Sequence, residues 1–152
     1  MLKRARDRAK DESGFTLSEL MVAAMIIGIM AAIAAPSFVC QEGKAADADT
    51  QAITRTAATA MEAYASDNLG AYDGATGAIL HGIEPSVPSS MEVTVYSNCT
   101  GPSSACYVVN SPANPATGNR FKLTKRANGQ LVSSCTTEGK VGCPAGGKWS
   151  AE

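Results

Sequence analysis

The sequence predicts an α+β fold: one long amino-terminal helix, apolar in its first half and amphipathic in its second, laid across a small antiparallel β-sheet with a disulfide-closed tail. Three observations predict it. Leu20 to Val39 contains no charged residue, and about 20 residues at 1.5 Å rise cross the roughly 30 Å hydrocarbon core of a bilayer as one helix. Beyond that run, Ile53, Ala57, Ala60, Met61 and Tyr64 recur at helical spacing, with Asp49, Thr54, Arg55, Thr59 and Glu62 on other faces. After residue 90 the pattern changes to a period of two, the mark of half-buried strands.

Taken in order, residues 1–14 form a short polar leader with Lys3, Arg4, Arg6, Arg8 and Lys10 against Asp7, Asp11 and Glu12, net +2, so the remainder of the chain is net −3. Basic residues beside a membrane span favour the cytoplasm, which places the amino terminus inside and the carboxyl end outside. Glu19 stands at the mouth of the apolar run, where a carboxylate near lipid is costly without a partner. Gly28 and Pro36 are the weak points of the helix. Pro36 has no amide proton and its ring crowds the carbonyl of Ala32, so the helix is expected to kink or loosen there. Gly43 is a further place for a bend.

The helix is expected to leave the membrane near residue 41, continue as an amphipathic stretch over 42–69, and stop at Asn68 to Gly70. From Thr16 to Asn68 it would be roughly 80 Å long, far more than a small domain needs for itself, and such a helix calls for partners. Residues 70–90, rich in Gly, Pro and Ser, read as a connecting loop with a helical turn near Ala78 to Leu80. A three- or four-stranded antiparallel sheet is expected to follow. Met91, Val93 and Val95 alternate with Glu92, Thr94 and Tyr96; Cys106 to Asn110 is the second; Phe121 and Leu123 alternate with Arg120, Lys122 and Thr124; Asn128-Gly129 then turns into Leu131 to Cys135. The extracytoplasmic β domain so defined is 70–152.

The block Gly14-Phe15-Thr16-Leu17-Ser18-Glu19-Leu20, behind a basic leader and ahead of an apolar helix, resembles the amino-terminal signature of type IV pilins and of the pseudopilins of type II secretion. The resemblance covers residues 1–42. It implies that prepilin peptidase cuts after Gly14 on the cytoplasmic face and methylates the new amine of Phe15. It also implies that Glu19 pairs with the Phe15 ammonium of a neighbouring subunit, in a helical homo-oligomeric filament raised from the inner membrane by an assembly platform and its ATPase. The cost of Glu19 fits that role, since a cationic amine inside an apolar bundle offsets a buried carboxylate. In filaments of related pilins the segment between a Gly and a Pro such as Gly28 and Pro36 can lose its helical hydrogen bonds. The outer half resembles pilins only in the order of its elements.

Five cysteines fit an exported chain. Four of them, Cys99, Cys106, Cys135 and Cys143, lie in the outer domain; they allow three pairings, of which Cys99–Cys106 and Cys135–Cys143 close the shortest loops. Cys40, where the helix leaves the membrane, reads as a small thiol packed between subunits rather than an intermolecular bridge. Neither cysteine spacing is a close C-x-x-C pair and the one histidine, His81, is remote, so no metal and no cofactor is expected. Asp67 and Asp73 lack the run of oxygen ligands that calcium needs and read as solvated loop residues. Asn98-Cys99-Thr100 is a glycosylation sequon in form only.

Arg120, Lys122, Lys125 and Arg126 form a basic hairpin that could meet phosphate, but a strand edge guarded by Lys accounts for it, and the near-neutral total charge argues against nucleic acid as a partner. No Ser-His-Asp arrangement is legible, and the resemblance implies a structural subunit rather than an enzyme. The precursor is expected in the cytoplasmic membrane and the product in a surface filament. Rival readings are a pseudopilin in a periplasmic piston, a minor pilin acting as a DNA or adhesion receptor, and a secreted domain cut at Ala32-Ile33-Ala34.

Overall fold

A computed structural model describes residues 14–149, apart from the side chains of residues 35–40. The leader expected over the first residues lies outside the described part up to Ser13, as do the side chains of Pro36 and Cys40. The chain divides into two compact units between Val39 and Cys40.

In the first unit, helix α1 (Leu17–Asp67) begins, and it is helical through both Gly28 and Pro36. The stretch Leu17–Ala34 is long and apolar enough to cross a membrane, and none of it is buried within the chain. Met21, Met25, Ile29 and Ile33 are all well exposed, with no cover among the described residues.

The second unit is built on the continuation of α1. After Gly43, through which the helix also runs, Ala57, Ala60 and Met61 are buried, with Ile53 and Tyr64 packed beside them. The alanines bring the helix close to the sheet. The helix stops where Leu69 and Gly70 take positive φ and the Gly70 N–H reaches back to the Ala65 carbonyl at 2.7 Å. A short helix α2 (Gly77–Ile83) follows, its start capped by the Thr76 hydroxyl, and buries Leu80.

Strands β1 (Glu92–Val95), β2 (Ala105–Asn110), β3 (Phe121–Arg126) and β4 (Leu131–Cys135) form an antiparallel sheet in sequence order. Val93 lies opposite Val109, Val109 opposite Leu123, and Leu123 opposite Ser133, so one row crosses all four strands. A bulge between Ala105 and Tyr107 lets three consecutive residues, Ala105, Cys106 and Tyr107, all be buried. Tyr107, Val109, Phe121 and Leu123 meet Met61 of α1, Leu80 of α2, and Val87 and Met91 of the connection. Each such side chain contributes roughly 1.5–3 kcal/mol by leaving water.

Both short loops are closed, Cys99 to Cys106 and Cys135 to Cys143. Loops of this size contribute about 2.5 kcal/mol each in the chain-entropy account. The tail beyond Cys143 is held against β4. Gly147 accepts from the Cys135 N–H at 2.8 Å, the Trp149 indole N–H donates to the Ser134 carbonyl at 3.0 Å, and the Ser133 hydroxyl donates to the Trp149 carbonyl. The Trp149 ring stands edge-on to Phe121 with centroids 5.8 Å apart, and the Arg55 guanidinium lies 5.1 Å from its centre.

Glu62, on α1, collects three donors. The Tyr107 hydroxyl and Lys125 Nζ each reach Oε1 at 2.9 Å, and the Tyr72 hydroxyl reaches Oε2 at 3.0 Å. Burial alone would push the Glu62 carboxyl up, but the bonds from Lys125, Tyr107 and Tyr72 outweigh it and hold it below its ordinary value. Burial first, and then the bond to Glu62, push the Tyr72 phenol up to about 12, and Tyr107 rises by the same causes.

The depressed Glu62 contributes stability that is present above its unfolded pKa of about 4.5 and is lost as pH falls through its lower folded value. The raised tyrosines contribute fully below about pH 10 and lose that contribution as pH rises toward about 12. Thermal melts should therefore be flat between these limits and decline on both sides. Glu62→Gln should flatten the acid side, by about 1 kcal/mol or less, because the side chain is 44% exposed and screened by solvent.

Candidate functional site

The site begins where the chain becomes helical. Gly14 to Thr16 are non-helical and α1 starts at Leu17. Four amide groups at a helix start have no partner within the helix, and here Thr16 and Glu19 satisfy two of them reciprocally. The Thr16 hydroxyl accepts from the Glu19 N–H at 3.2 Å, while Glu19 Oε2 accepts from the Thr16 N–H at 2.9 Å and from the Thr16 hydroxyl at 2.8 Å. Thr16 and Glu19 thus form a capping box, and Ser18 Oγ lies 3.1 Å from the same hydroxyl. This second role of Glu19 is missed when the residue is read only as a charge in an apolar run. The T-x-x-E spacing is the signal that finds it.

Both bonds to Glu19 fall on Oε2, and a carboxylate oxygen has further lone pairs to offer on Oε1. Phe15, the residue before Thr16, is 87% exposed. The site is therefore an acid at the head of an exposed apolar helix, one residue past the first turn of which lie Leu20 and Met21. A side chain at Gly14 or at Gly28 would meet nothing within 4 Å. Neither glycine is demanded by packing inside the subunit, although Gly28 in a helix interior costs about 1 kcal/mol relative to Ala.

The other sequence-predicted residues are placed elsewhere. The basic hairpin separates into two sets, because Arg120 bonds Glu92 at 2.9 Å and Lys125 bonds Glu62 at 2.9 Å, while Lys122 and Arg126 face the side of the sheet away from α1. Half of that positive charge is already compensated, which weakens the case for phosphate further; β3 is paired on both sides, by β2 and β4, so these residues do not guard a strand edge as expected. Bonds from Arg120 and Asn110 hold the Glu92 carboxyl below its ordinary value. Asp73 accepts from the Ser97 hydroxyl at 2.7 Å, and His81 Nδ1 lies 2.8 Å from the Val87 carbonyl oxygen. Among the described residues no three His, Cys, Asp or Glu side chains come together as metal ligands. Asn98 stands in a tight turn at positive φ next to the bridged Cys99.

Two further features were not legible in the apolar pattern. Thr54, expected on an outer face of α1, is fully buried and donates to the Thr50 carbonyl at 2.7 Å. Asp47 is fully buried as well.

Comparison with known proteins gives a match at one place. No curated protein and no solved structure matches the chain. The family model for the prokaryotic N-terminal methylation motif matches residues 9–35, a span that includes Gly14, Phe15, Thr16, Glu19 and Gly28. The capped acid, the exposed apolar helix behind it and this match agree on one conclusion: the chain carries the prepilin signature of the type IV pilins and pseudopilins.

Proposed function

We propose that the chain is the precursor of a structural subunit of a type IV pilus, cut after Gly14 and methylated on the Phe15 amine by prepilin peptidase, and assembled through α1. The observation that carries this is the methylation motif over residues 9–35, set on a helix whose stretch Leu17–Ala34 has no buried residue. An apolar helix with no cover in its own chain is stable only in lipid or against other such helices. The membrane holds the precursor, with its leader inside and its outer domain outside. Neighbouring helices replace the lipid in the filament.

Glu19 sets the order within that packing. Cleavage turns Phe15 into a chain start with an ammonium group, and Glu19 Oε1 can accept it while Oε2 keeps the Thr16 cap. An ammonium–carboxylate bond is charge-assisted and stronger than either Thr16 bond. A subunit out of register would leave a charge unpaired in an apolar bundle, so the pair selects position more than it adds cohesion. Gly28 and Pro36 have their use in the same assembled state. No contact inside the subunit needs Gly28, and loosening of α1 between the two would let the helix bend as the filament forms. Nothing in this role asks for catalysis, a cofactor or nucleic acid.

The test is the intact mass and amino-terminal residue of the protein recovered from membranes and from sheared surface material. A start at N-methylated Phe15 in both supports the reading. A start near Ala35, or at Met1, overturns it. Processed protein in the membrane with none in surface filaments would assign the chain to a periplasmic pseudopilus instead.

A further inference from the structure

Asp47 is enclosed on α1 with only neutral donors around it. Its Oδ1 accepts from the Thr117 hydroxyl at 2.5 Å, and its Oδ2 accepts from Asn119 Nδ2 at 2.6 Å and from the Gly142 N–H at 3.0 Å. One turn later Gln51 Nε2 donates to the Gly142 carbonyl at 3.0 Å. Both backbone groups of Gly142 are therefore held by α1. The approach leaves no room: a Cβ at Gly142 would sit 2.4 Å from the Asp47 Cβ, and one at Gly43, a turn earlier, 2.8 Å from Val141 Cγ1. A buried carboxylate with no cation depends on having every one of its donors.

The attachment nearest to Gly142 is covalent. Between Cys135 and Cys143 no residue is buried; Thr136 and Thr137 tie the start of the loop to Arg120 and Asn119, and the partly exposed Val141 lies against Gly43 of α1. The loop's own turns, such as the Cys143 N–H to the Lys140 carbonyl at 2.9 Å, shape it without attaching it to α1. The bond from Cys143 to Cys135, at the end of β4, anchors the chain one residue beyond Gly142.

We propose that the Cys135–Cys143 bond and Asp47 act together as a disulfide-conditional clasp on α1. With the bond closed, the loop presents Gly142 to Asp47 and Gln51, and the outer domain grips the helix over Gly43 to Gln51. With the bond open, Gly142 leaves, Asp47 loses a donor that solvent-facing groups cannot replace in place, and this stretch of helix comes loose while the core around Met61 and Tyr107 stays folded. Cys99–Cys106 touches none of these groups and has no part in the clasp. In the proposed filament the grip would exist only in subunits whose cysteines have been oxidised after export. That consequence rests on the filament reading; the clasp itself does not.

Hydrogen exchange on the full chain in detergent micelles tests it. Amides of residues 43–54 should exchange about tenfold faster or more in Cys135→Ser/Cys143→Ser and in Asp47→Asn, and combining all three changes should add little, as expected of residues that act as one unit. Cys99→Ser/Cys106→Ser should leave these amides as protected as in the wild type. Gly142→Ala, with the disulfide intact, should loosen the same stretch while the β2 and β3 amides remain protected, which separates an open clasp from a failed fold. Unchanged protection of 43–54 without the Cys135–Cys143 bond or in Gly142→Ala, or effects that multiply in the combined variant, would overturn the clasp. None of these readings requires a filament, so an absence of filaments would count against the pilus proposal alone.

Discussion

Glu19→Ala is expected to leave cleavage after Gly14 intact and to reduce recovery of the subunit in sheared filaments by about tenfold or more. The substitution removes two things at once, the charge that meets a neighbour's Phe15 ammonium and half of the capping box with Thr16. Two further variants separate them. Glu19→Gln keeps an oxygen that can accept from Thr16 but has no charge, and it should fail as Glu19→Ala does. Thr16→Val loses the hydroxyl but keeps the carboxylate; it should weaken the helix start by about 1 kcal/mol and still assemble. Immunoblots of sheared and membrane fractions, with the amino-terminal residue determined in each, distinguish a processing defect from an assembly defect. Normal filaments from Glu19→Gln would sink the pairing idea.

Trp149→Ala is expected to have the largest effect on the stability of the outer domain. The side chain is buried, edge-on to the fully buried Phe121, covered by the Arg55 guanidinium, and bonded through its indole N–H to the Ser134 carbonyl. Removing a ring so placed leaves a cavity and an unpaired carbonyl, a loss of about 3–5 kcal/mol. For a domain of this size that is a fall in melting temperature of about 10–20 °C. Trp149→Phe keeps most of the volume and loses the indole bond, so it should cost only about 1 kcal/mol. Circular dichroism melts of the full chain in micelles measure both. A Trp149→Ala variant that melts with the wild type would show that the tail does not belong to the core.

The helix and the strands were legible because their causes are local. Leu20 to Val39 lacks charge whatever surrounds it, and Ala57, Ala60 and Met61 recur at helical spacing before any partner is known. In β1 and β3 apolar and polar residues alternate, so Val93, Phe121 and Leu123 announce themselves; β2, with its bulge, and β4, whose buried residue is Ser133, show no such alternation. Cys135 and Cys143 are near neighbours in sequence, and their bond closes one of the short loops that spacing favours. Glu19 stood out for the same kind of reason, as a charge in the wrong solvent.

The sequence by itself determined where the apolar helix runs, where the chain turns from helix to sheet, and that an acid heads the helix behind a glycine. Only the tertiary structure decided what the polar residues do. Asp47 finds its donors on Thr117, Asn119 and Gly142, roughly half a chain away; it and Thr54 stand fourteen and seven residues before the buried Met61 on the same face of α1, but nothing on the helix itself shows what would satisfy a polar residue there. The same distance rule divided the basic hairpin: the bond from Lys125 to Glu62 exists only once the sheet has closed on α1, and that from Arg120 to Glu92 only once β1 stands in one sheet with β3. Apolar burial follows from a residue's own surface, and so it shows in the sequence. Polar burial follows from the partners a fold brings to it, and so it does not.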